Sequence, residues 1–426
     1  MPSYAESLEY LKIASQRGSR LGLERITELC RRLGDPQNET KIIHVAGTNG
    51  KGSFTAMLSS ILRSAGYITG SFSSPALTSV TESFRINCRE ISENVFAWVM
   101  TDVIPACEAM EDKPTEFEVL TAAAYELFRR TDCHVAIVEC GMGGDTDSTN
   151  VVSQPLLSVI TKVATDHTDV LGDSIREIAK HKAGIIKKGS PALYGGNNLA
   201  AFDVINAVAC EKNVSLSITD HMRIFGNSVS IDGIELEYDG FGMISVPITG
   251  TYQLYNISTV LTAVELLRRE GFNISDEAVK DGLARVEWHA RFEVLRKDPC
   301  VIFDGAHNPD GIHQAADTIR RCFGGEKVVF LAGVLSDKQY NLYPEMLGQY
   351  ADCVFTVRPD NPRALDPKIL AEEFSNADIP AVEYQDFTEG VKAAYNCAKN
   401  RNMPLIALGS LYMYKEFTEA LAAIEP

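Results

Sequence analysis

The chain has 426 residues, a length that suits two or three domains, and its content of 45% hydrophobic and 23% charged residues is that of a globular protein with sizeable cores. Its 40 Lys and Arg against 57 Asp and Glu give a formal charge of -17, which argues against non-specific binding to nucleic acid or anionic lipid but leaves room for a local anion site. The start MPSYAESLEYLK has no basic segment before an apolar run, no apolar stretch nears the roughly 20 residues that span a bilayer, and the ten cysteines form no CxxC pair, so a cytoplasmic chain with reduced thiols is expected.

Residues 5–33 read as helical, broken around Arg17-Gly18-Ser19. KIIHVA (41–46) is a short apolar strand that runs into a Gly-rich turn, and FTAMLSSILRSAG follows as an amphipathic helix stopped by Gly66. FEVLTAAAYELFRR is a helix, VAIVECG and LLSVITKV are buried strands, and SIREIAKHKAGIIKK predicts a helix over 174–187 with Ser174 at its start. Apolar strands alternating with helices predict a parallel sheet covered on both faces. Residues 214–248, with Gly, Asp and Asn between short alternating runs, predict a small antiparallel meander, and TYQLYNISTVLTAVELLRREG returns to helix. A fresh α/β pattern begins near residue 297, with CVIFDG, KVVFLAGV, DCVFTVRP and PLIALG as strands. The expected fold class is α/β: a P-loop nucleotide-binding domain with a parallel sheet over 1–292, and a smaller Rossmann-like α/β domain over 293–426.

HVAGTNGKGS (44–53) is the strongest local signal. Glycines let the backbone curl so that N–H groups face a phosphate, and the helix that follows adds positive potential. Thr48, Asn49, Gly50 and Gly52 would form the cradle, Lys51 would neutralise the β- and γ-phosphates, and Ser53 would add a hydroxyl near phosphate or metal. The run departs from the common P-loop pattern, with Val45 in place of its first Gly and Gly52 after the Lys. Glu139 ends a buried strand beside Gly141, Gly143 and Gly144; alone it reads as a turn residue, and with the phosphate loop upstream as a magnesium ligand. Taken alone, His167 reads as structural and Lys182 as a solvated lysine.

GTNGKGS resembles the nucleotide loop of the Mur ligase superfamily in its folylpolyglutamate synthase form. The resemblance continues through SSPAL (73–77), FEVLT (117–121), VECGMGGDTDSTN (138–150), DHTDVLGDS (166–174), HKAGIIK (181–187), DGAHNPDG (304–311), RPDNPRAL (358–365) and GSLY (409–412), all in family order. It implies that Ser74, Glu139 and His167 hold magnesium, and that Lys182 is carbamylated by CO2, which burial would favour by easing loss of its proton. Asn256 is implied to contact the nucleotide base and Arg291 an ATP phosphate. Asp304 and His307 complete the nucleotide and amino-acid site, and Ser410 faces the incoming glutamate. Leu23, Arg85, Phe117, Glu118, Asp147, Thr149 and Asn150 are assigned to the acceptor, with the aromatic and apolar residues forming a slot and Arg85 steering carboxylates. Five positions depart from the family pattern: Asp145 stands for the usual Arg, Ala76 and Tyr252 for usual His residues, and His289-Ala290 for Pro-Gly.

The implied function is ATP-dependent addition of L-glutamate to a folate, to dihydropteroate, or to both. ATP and Mg2+ would be required, and a monomer acting on small molecules is expected. The chemistry runs through an acyl phosphate, because a carboxylate does not react with an amine at neutral pH until its oxygen is made a leaving group. Lys51, Arg291 and magnesium would carry the charge of the transferring phosphoryl group, with Lys182, Asp304 and His307 completing the catalytic set. A related ligase acting on another acid, and a P-loop hydrolase without ligase activity, are the alternatives; the second α/β domain with Asp304 and His307 argues against the hydrolase.

Overall fold

The computed structural model describes residues 1–424, which form two compact units. Unit 1 comprises Met1–Arg223 with Tyr255–Arg285; unit 2 comprises Ile224–Leu254 with the chain from Val286 onward.

Unit 1 is built on an eight-stranded sheet. Its strands are β1 (Lys41–Ala46), β2 (Thr69–Phe72), β3 (Phe84–Ile86), β4 (Arg89–Glu90), β5 (Val135–Glu139), β6 (Leu157–Ile160), β7 (Ala192–Tyr194) and β8 (Leu216–Ile218). They lie in the order β4-β3-β2-β5-β1-β6-β7-β8, and all neighbours from β2 to β8 are parallel. The β2-β3 and β3-β4 pairings at one edge are antiparallel. Central strands of this kind are covered on both faces and read as unbroken apolar runs, as KIIHVA does.

Two groups of helices cover the sheet. Helices α1 (Tyr4–Ser15), α2 (Glu24–Arg32), α4 (Glu93–Glu108) and α5 (Glu116–Arg130) bring Leu11, Ile26, Phe96 and Phe128 into one core with Phe72 and Phe84. The second core joins α7 (Ile175–Ala183) and α8 (Leu199–Glu211), through Ile178 and Ile205, to Ile160 and Tyr194. Each such buried side chain is worth about 1.5–3 kcal/mol. Unit 1 also contains α3 (Lys51–Ser64), the short α6 (Thr168–Leu171) and α10 (Asp276–Ala284), together with α9 (Gln253–Arg269) from Tyr255 onward.

Two sequence expectations are corrected here. The helix expected over 174–187 starts at its Ser174 cap but ends at Ala183. Beyond it the chain turns, with Ile185 N–H bonding the Lys182 carbonyl, while the Ile185 carbonyl is taken by the Ser158 hydroxyl of β6 at 2.9 Å. Residues 216–218 do not belong to a meander either; as β8 they pair in parallel with β7 at the edge of the main sheet.

In unit 2 the antiparallel meander is β9 (Ile224–Ser230), β10 (Gly233–Tyr238) and β11 (Gly242–Val246). It folds with the later chain through Lys297–Asp232 at 2.7 Å and through the Thr318 hydroxyl, which accepts from Thr251 N–H. The main sheet of this unit holds β12 (Glu293–Lys297), β13 (Cys300–Asp304), β14 (Val328–Ala332), β15 (Ala351–Thr356), β16 (Ala381–Glu383) and β17 (Leu405–Leu408). Their order is β12-β13-β17-β14-β15-β16, parallel except for the β12 edge. Helices α11 (Pro309–Phe323), α12 (Tyr343–Leu347), α13 (Pro367–Asn376), α14 (Phe387–Arg401) and α15 (Tyr414–Ala422) complete it, and Ile302, Ile319, Phe330, Tyr343 and Phe374 meet in its core. Among the described residues no helix is long and apolar enough to cross a membrane.

Candidate active site

The turn between β1 and α3 is fastened from below. Thr48 N–H donates to the Lys162 carbonyl at 2.7 Å, Thr48 Oγ1 to the Ala164 carbonyl at 2.9 Å, and Thr161 Oγ1 to the Asn49 carbonyl at 2.9 Å. Gly50 caps α3 with φ 92°, and a Cβ there would run into the Asn256 side-chain oxygen. Left-handed geometry and close approach together demand glycine. Asn256, assigned to the nucleotide base, has its side chain against this loop. Gly52 and Ser53 lie buried in the first turn of α3, whose N-terminus carries the positive end of the helix dipole.

Two lysines converge on one carbonyl of this loop. Lys51 Nζ donates to Gly47 O at 3.1 Å and to Thr48 O at 3.3 Å, and lies 3.7 Å from Glu139 Oε1. Lys182, 135 residues beyond Gly47 and only 4% exposed, donates to the same Gly47 O at 2.9 Å. Burial, and then the Lys51 charge, push the Lys182 amine down to about 7 from its usual 10.5. Much of it is therefore neutral near pH 7, the form in which an amine can react with CO2.

Ser74 lies just past β2, Glu139 ends β5, and His167 follows β6. With β1 these are four successive neighbours in the sheet, so all three residues sit at the carboxyl edge that carries the Gly-rich loop. Glu139 is 5% exposed, whereas the His167 side chain is 43% exposed, and its backbone N–H bonds Asp166. Among the described residues no group of three or more His, Cys, Asp or Glu side chains is spaced to hold a metal by itself. A hydroxyl, one carboxylate and one imidazole beside a phosphate loop fit magnesium, which keeps several waters and uses few protein ligands.

The residues assigned to the acceptor divide into two groups. Leu23 and Phe117 are half-buried against the same core, and the tip of the Phe117 ring comes so near Gly141 that a Cβ there would meet it at 2.8 Å. In the acceptor reading these two would supply an apolar wall. Arg85, on β3 opposite Ser71 and Glu90, is half-buried, with Nη1 3.5 Å from the Cys88 carbonyl. The others are bonded inward. Glu118 is fully buried, accepting from Thr115 in a capping box and from Arg25 Nε at 3.1 Å. Asp147 accepts from Met142 N–H, Thr149 N–H and Thr149 Oγ1 at 2.8, 3.0 and 2.5 Å. Burial raises its pKa, and these bonds oppose that shift. Asn150 Nδ2 donates to the Asp145 carbonyl at 2.9 Å.

Sequence reasoning missed His44, although it opens the quoted run HVAGTNGKGS. It is fully buried on β1, with Nε2 2.8 Å from Thr149 Oγ1 and 3.2 Å from Cys140 Sγ. Because the Thr149 hydroxyl donates to Asp147, His44 Nε2 carries the proton. Burial pushes its pKa down to about 3, so the ring stays neutral and pins the turn 147–150 to β1. Asp145, where the family pattern has Arg, pairs with His181 Nδ1 at 2.9 Å, one residue from Lys182.

Unit 2 gathers its own assigned residues at one edge. Asp304 ends β13, and its neighbour β17 leads into Ser410. Asp304 Oδ1 accepts from Ala306 N–H at 2.7 Å, and Oδ2 from Phe292 N–H at 2.9 Å and Tyr252 OH at 3.1 Å. Burial raises its pKa and the nearby Arg291 opposes that. Arg291 Nη1 donates to the Ala290 carbonyl at 2.8 Å, His307 Nδ1 lies 2.8 Å from the Gly305 carbonyl, and Ser410 Oγ accepts from Tyr412 N–H at 3.3 Å. Tyr252, in place of a usual His, thus serves Asp304.

Comparison with known proteins agrees with this geometry. The Mur ligase middle domain matches residues 45–264, and the Mur ligase glutamate ligase domain matches residues 290–410. The chain is 33% identical over 431 residues to a dihydrofolate synthase/folylpolyglutamate synthase of Bacillus subtilis, covering 98% of this chain and 99% of that one. It superposes on the Mycobacterium tuberculosis folylpolyglutamate synthase complexed with ADP at a TM-score of 0.91, with 28% identity and both chains fully covered. Against the E. coli FolC complex with DHPP and ADP the TM-score is 0.85, with 29% identity and 99% of both chains covered. A phosphate loop with its paired lysines, the matched domains and end-to-end likeness to these proteins place the chain in the Mur ligase family, in its folylpolyglutamate synthase/dihydrofolate synthase branch.

Proposed function

We propose that this chain uses ATP to join L-glutamate to the carboxylate of a folate, of dihydropteroate, or of both. The observation that carries the reading is the pair Lys51 and Lys182 on the Gly47 carbonyl beside Glu139, in a chain whose relatives along its whole length are named for this reaction.

The acceptor carboxylate attacks the γ-phosphorus of ATP, the bond to the β-γ bridging oxygen breaks, and ADP leaves an acyl phosphate. The glutamate amine then attacks the acyl carbon, and after loss of its proton phosphate departs. Thr48, Asn49, Gly50, Gly52 and Ser53 cradle the phosphates, and Asn256 faces the base. Lys51 releases the Gly47 and Thr48 carbonyls and follows the charge of the transferring group; Arg291 supplies a second cation. Asp304 holds the turn that bears Arg291, while His307 and Ser410 serve the amino acid. Ser74, Glu139 and His167 would hold magnesium, which when bound neutralises phosphate oxygens. Lys182, as its neutral amine, takes up CO2 as a carbamate with loss of a proton, which would place an anion beside the loop. Leu23 and Phe117 form the apolar slot for a flat pterin, Asp147, bonded inward, holds the turn behind it, and Arg85 draws the acceptor carboxylate. Glu118, Thr149 and Asn150 shape that wall from behind. We further infer a cytoplasmic monomer whose partners are small molecules, in keeping with a net charge of -17 that disfavours nucleic acid and anionic membranes.

The test is ADP release by the purified chain with dihydropteroate or tetrahydrofolate, with and without L-glutamate. Release that requires both acceptor and glutamate is expected. ADP release indifferent to glutamate overturns the ligase reading.

A further inference from the structure

In unit 2, Cys353 on β15 and Cys397 on α14 stand with their sulfurs 3.6 Å apart, although 44 residues separate them in sequence. Cys353 is buried and Cys397 half-buried. Arg401, one helical turn beyond Cys397, reaches the same spot: its Nη1 is 3.9 Å from Cys353 Sγ, and it pairs with Asp352. Nothing in the ligase chemistry uses these residues. Cys353 falls in the first half of β15, whereas the Asp304 and Ser410 edge lies at the carboxyl ends of β13 and β17.

We propose that Cys353 and Cys397 are a modification site, a dithiol that a hydroperoxide closes to a disulfide. The less buried Cys397 reacts first. Its thiolate sulfur attacks one peroxide oxygen, the O–O bond breaks, and with the thiol proton one water leaves, giving a sulfenic acid. Cys353 sulfur then attacks Cys397 sulfur, the S–O bond breaks, and a second water leaves with the Cys353 proton. In balance, two thiols and one hydrogen peroxide give one disulfide and two waters. Cys353 suits the second role. Burial and the neighbouring Cys397 push its thiol up to about 12, so it is a poor first nucleophile, yet it lies in van der Waals contact with the sulfur it must attack. The bond would tie α14 to β15 and close a loop around α13 and β16, constraining the unfolded chain while leaving the Asp304 edge untouched.

The experiment exposes the full chain to graded hydrogen peroxide and follows thiol titration in denaturant, intact mass and non-reducing peptide mapping. Expected are the loss of two of the ten thiols, a mass decrease of about 2 Da, and one cross-linked peptide pair joining positions 353 and 397, all reversed by dithiothreitol. The oxidised form should melt higher than the reduced form, with glutamate-dependent turnover unchanged. In Cys353→Ser, Cys397 should instead be trapped by dimedone as the sulfenic acid. Sulfinic acid on Cys397 of the unaltered chain without the cross-link, a disulfide between other cysteines, or full retention of thiols would each overturn the proposal. None of these outcomes depends on the ligase reading, which its own assay decides.

Discussion

Lys51 and Lys182 compete for one carbonyl oxygen, and that competition explains both. Lys51 lies 3.7 Å from Glu139, while Lys182, much of it neutral near pH 7, meets the loop at the Gly47 carbonyl, so Lys51 is the cation that the loop offers to a phosphate. Replacing Lys51 with Ala should cut ligation by about 10²-fold or more and leave the circular dichroism spectrum unchanged. Near-normal ADP release in that variant would remove Lys51 from the mechanism. Lys182 makes a separate prediction about stability. Its amine titrates at about 7 in the folded chain against 10.5 ordinarily, so between those values the unfolded chain binds the extra proton. The stability contribution is full above pH 10.5, is lost as pH falls toward 7, and is flat below that. Within the window it should give a slope of up to about 1.4 kcal/mol per pH unit. Urea unfolding at pH 7.5 and 9.5 in CO2-free buffer should show this slope in the parent and lose it in Lys182→Met; equal slopes would mean that the amine is not depressed.

At the scale of elements, the turn 289–293 shows how a departure from the family pattern is accommodated. Ala290 adopts φ 57°, a left-handed conformation that suits the Gly usual there, and Phe292 follows at φ 47°. Several bonds hold this turn. Glu293 Oε2 accepts from Ala290 N–H at 2.8 Å, Glu293 Oε1 pairs with His289 at 2.8 Å, and the Ala290 carbonyl accepts from Gly305 N–H at 2.9 Å. Burial pushes the Glu293 carboxyl up, but its partners outweigh that and hold it below the usual range. His289, the other departure, thus helps to pay for the strain at Ala290. Ala290→Gly should relieve a left-handed Cβ worth about 1–2 kcal/mol and lose part of the gain to unfolded-chain entropy. A net stabilisation of about 0.5–1 kcal/mol is expected in denaturant titration, and a destabilised variant would show that the turn is not strained. Elements such as β1 and the start of α7 were legible in the sequence because periodicity and caps are local, as in KIIHVA and the Ser174 cap. The end of α7 was not, because it depends on Ser158 of a distant strand claiming the Ile185 carbonyl. β8 was misread for the same reason: three residues acquire their strand identity only from β7 beside them.

Across the whole molecule, the order of motifs along the chain was enough to indicate two α/β patterns and the family. It could not show that Lys182 reaches Gly47 across 135 residues, or that Asp147 and Thr149 turn inward to each other and to His44. Those are facts of tertiary packing. The global field also bears on function. A chain of net charge -17 repels its proposed anionic acceptors, so the cations near the acceptor wall count for more than their number suggests. Asp145 subtracts from that local balance, for it stands where the family pattern supplies Arg, and its carboxylate lies 2.9 Å from His181 Nδ1. The chain should therefore favour acceptors with fewer carboxylates, dihydropteroate over a folate that already carries glutamate. Asp145→Arg changes the local charge by two and should lower the KM of tetrahydrofolate more than that of dihydropteroate. A relative change of about tenfold at low salt corresponds to 1.4 kcal/mol and should shrink as ionic strength shortens the screening length. The kcat should change little, because the carboxylate does not face the transferring phosphoryl group in this reading. Initial rates for both acceptors at two salt concentrations decide the matter: equal KM changes for the two, or a preference indifferent to salt, would separate Asp145 from acceptor choice and direct attention to Ala76 instead.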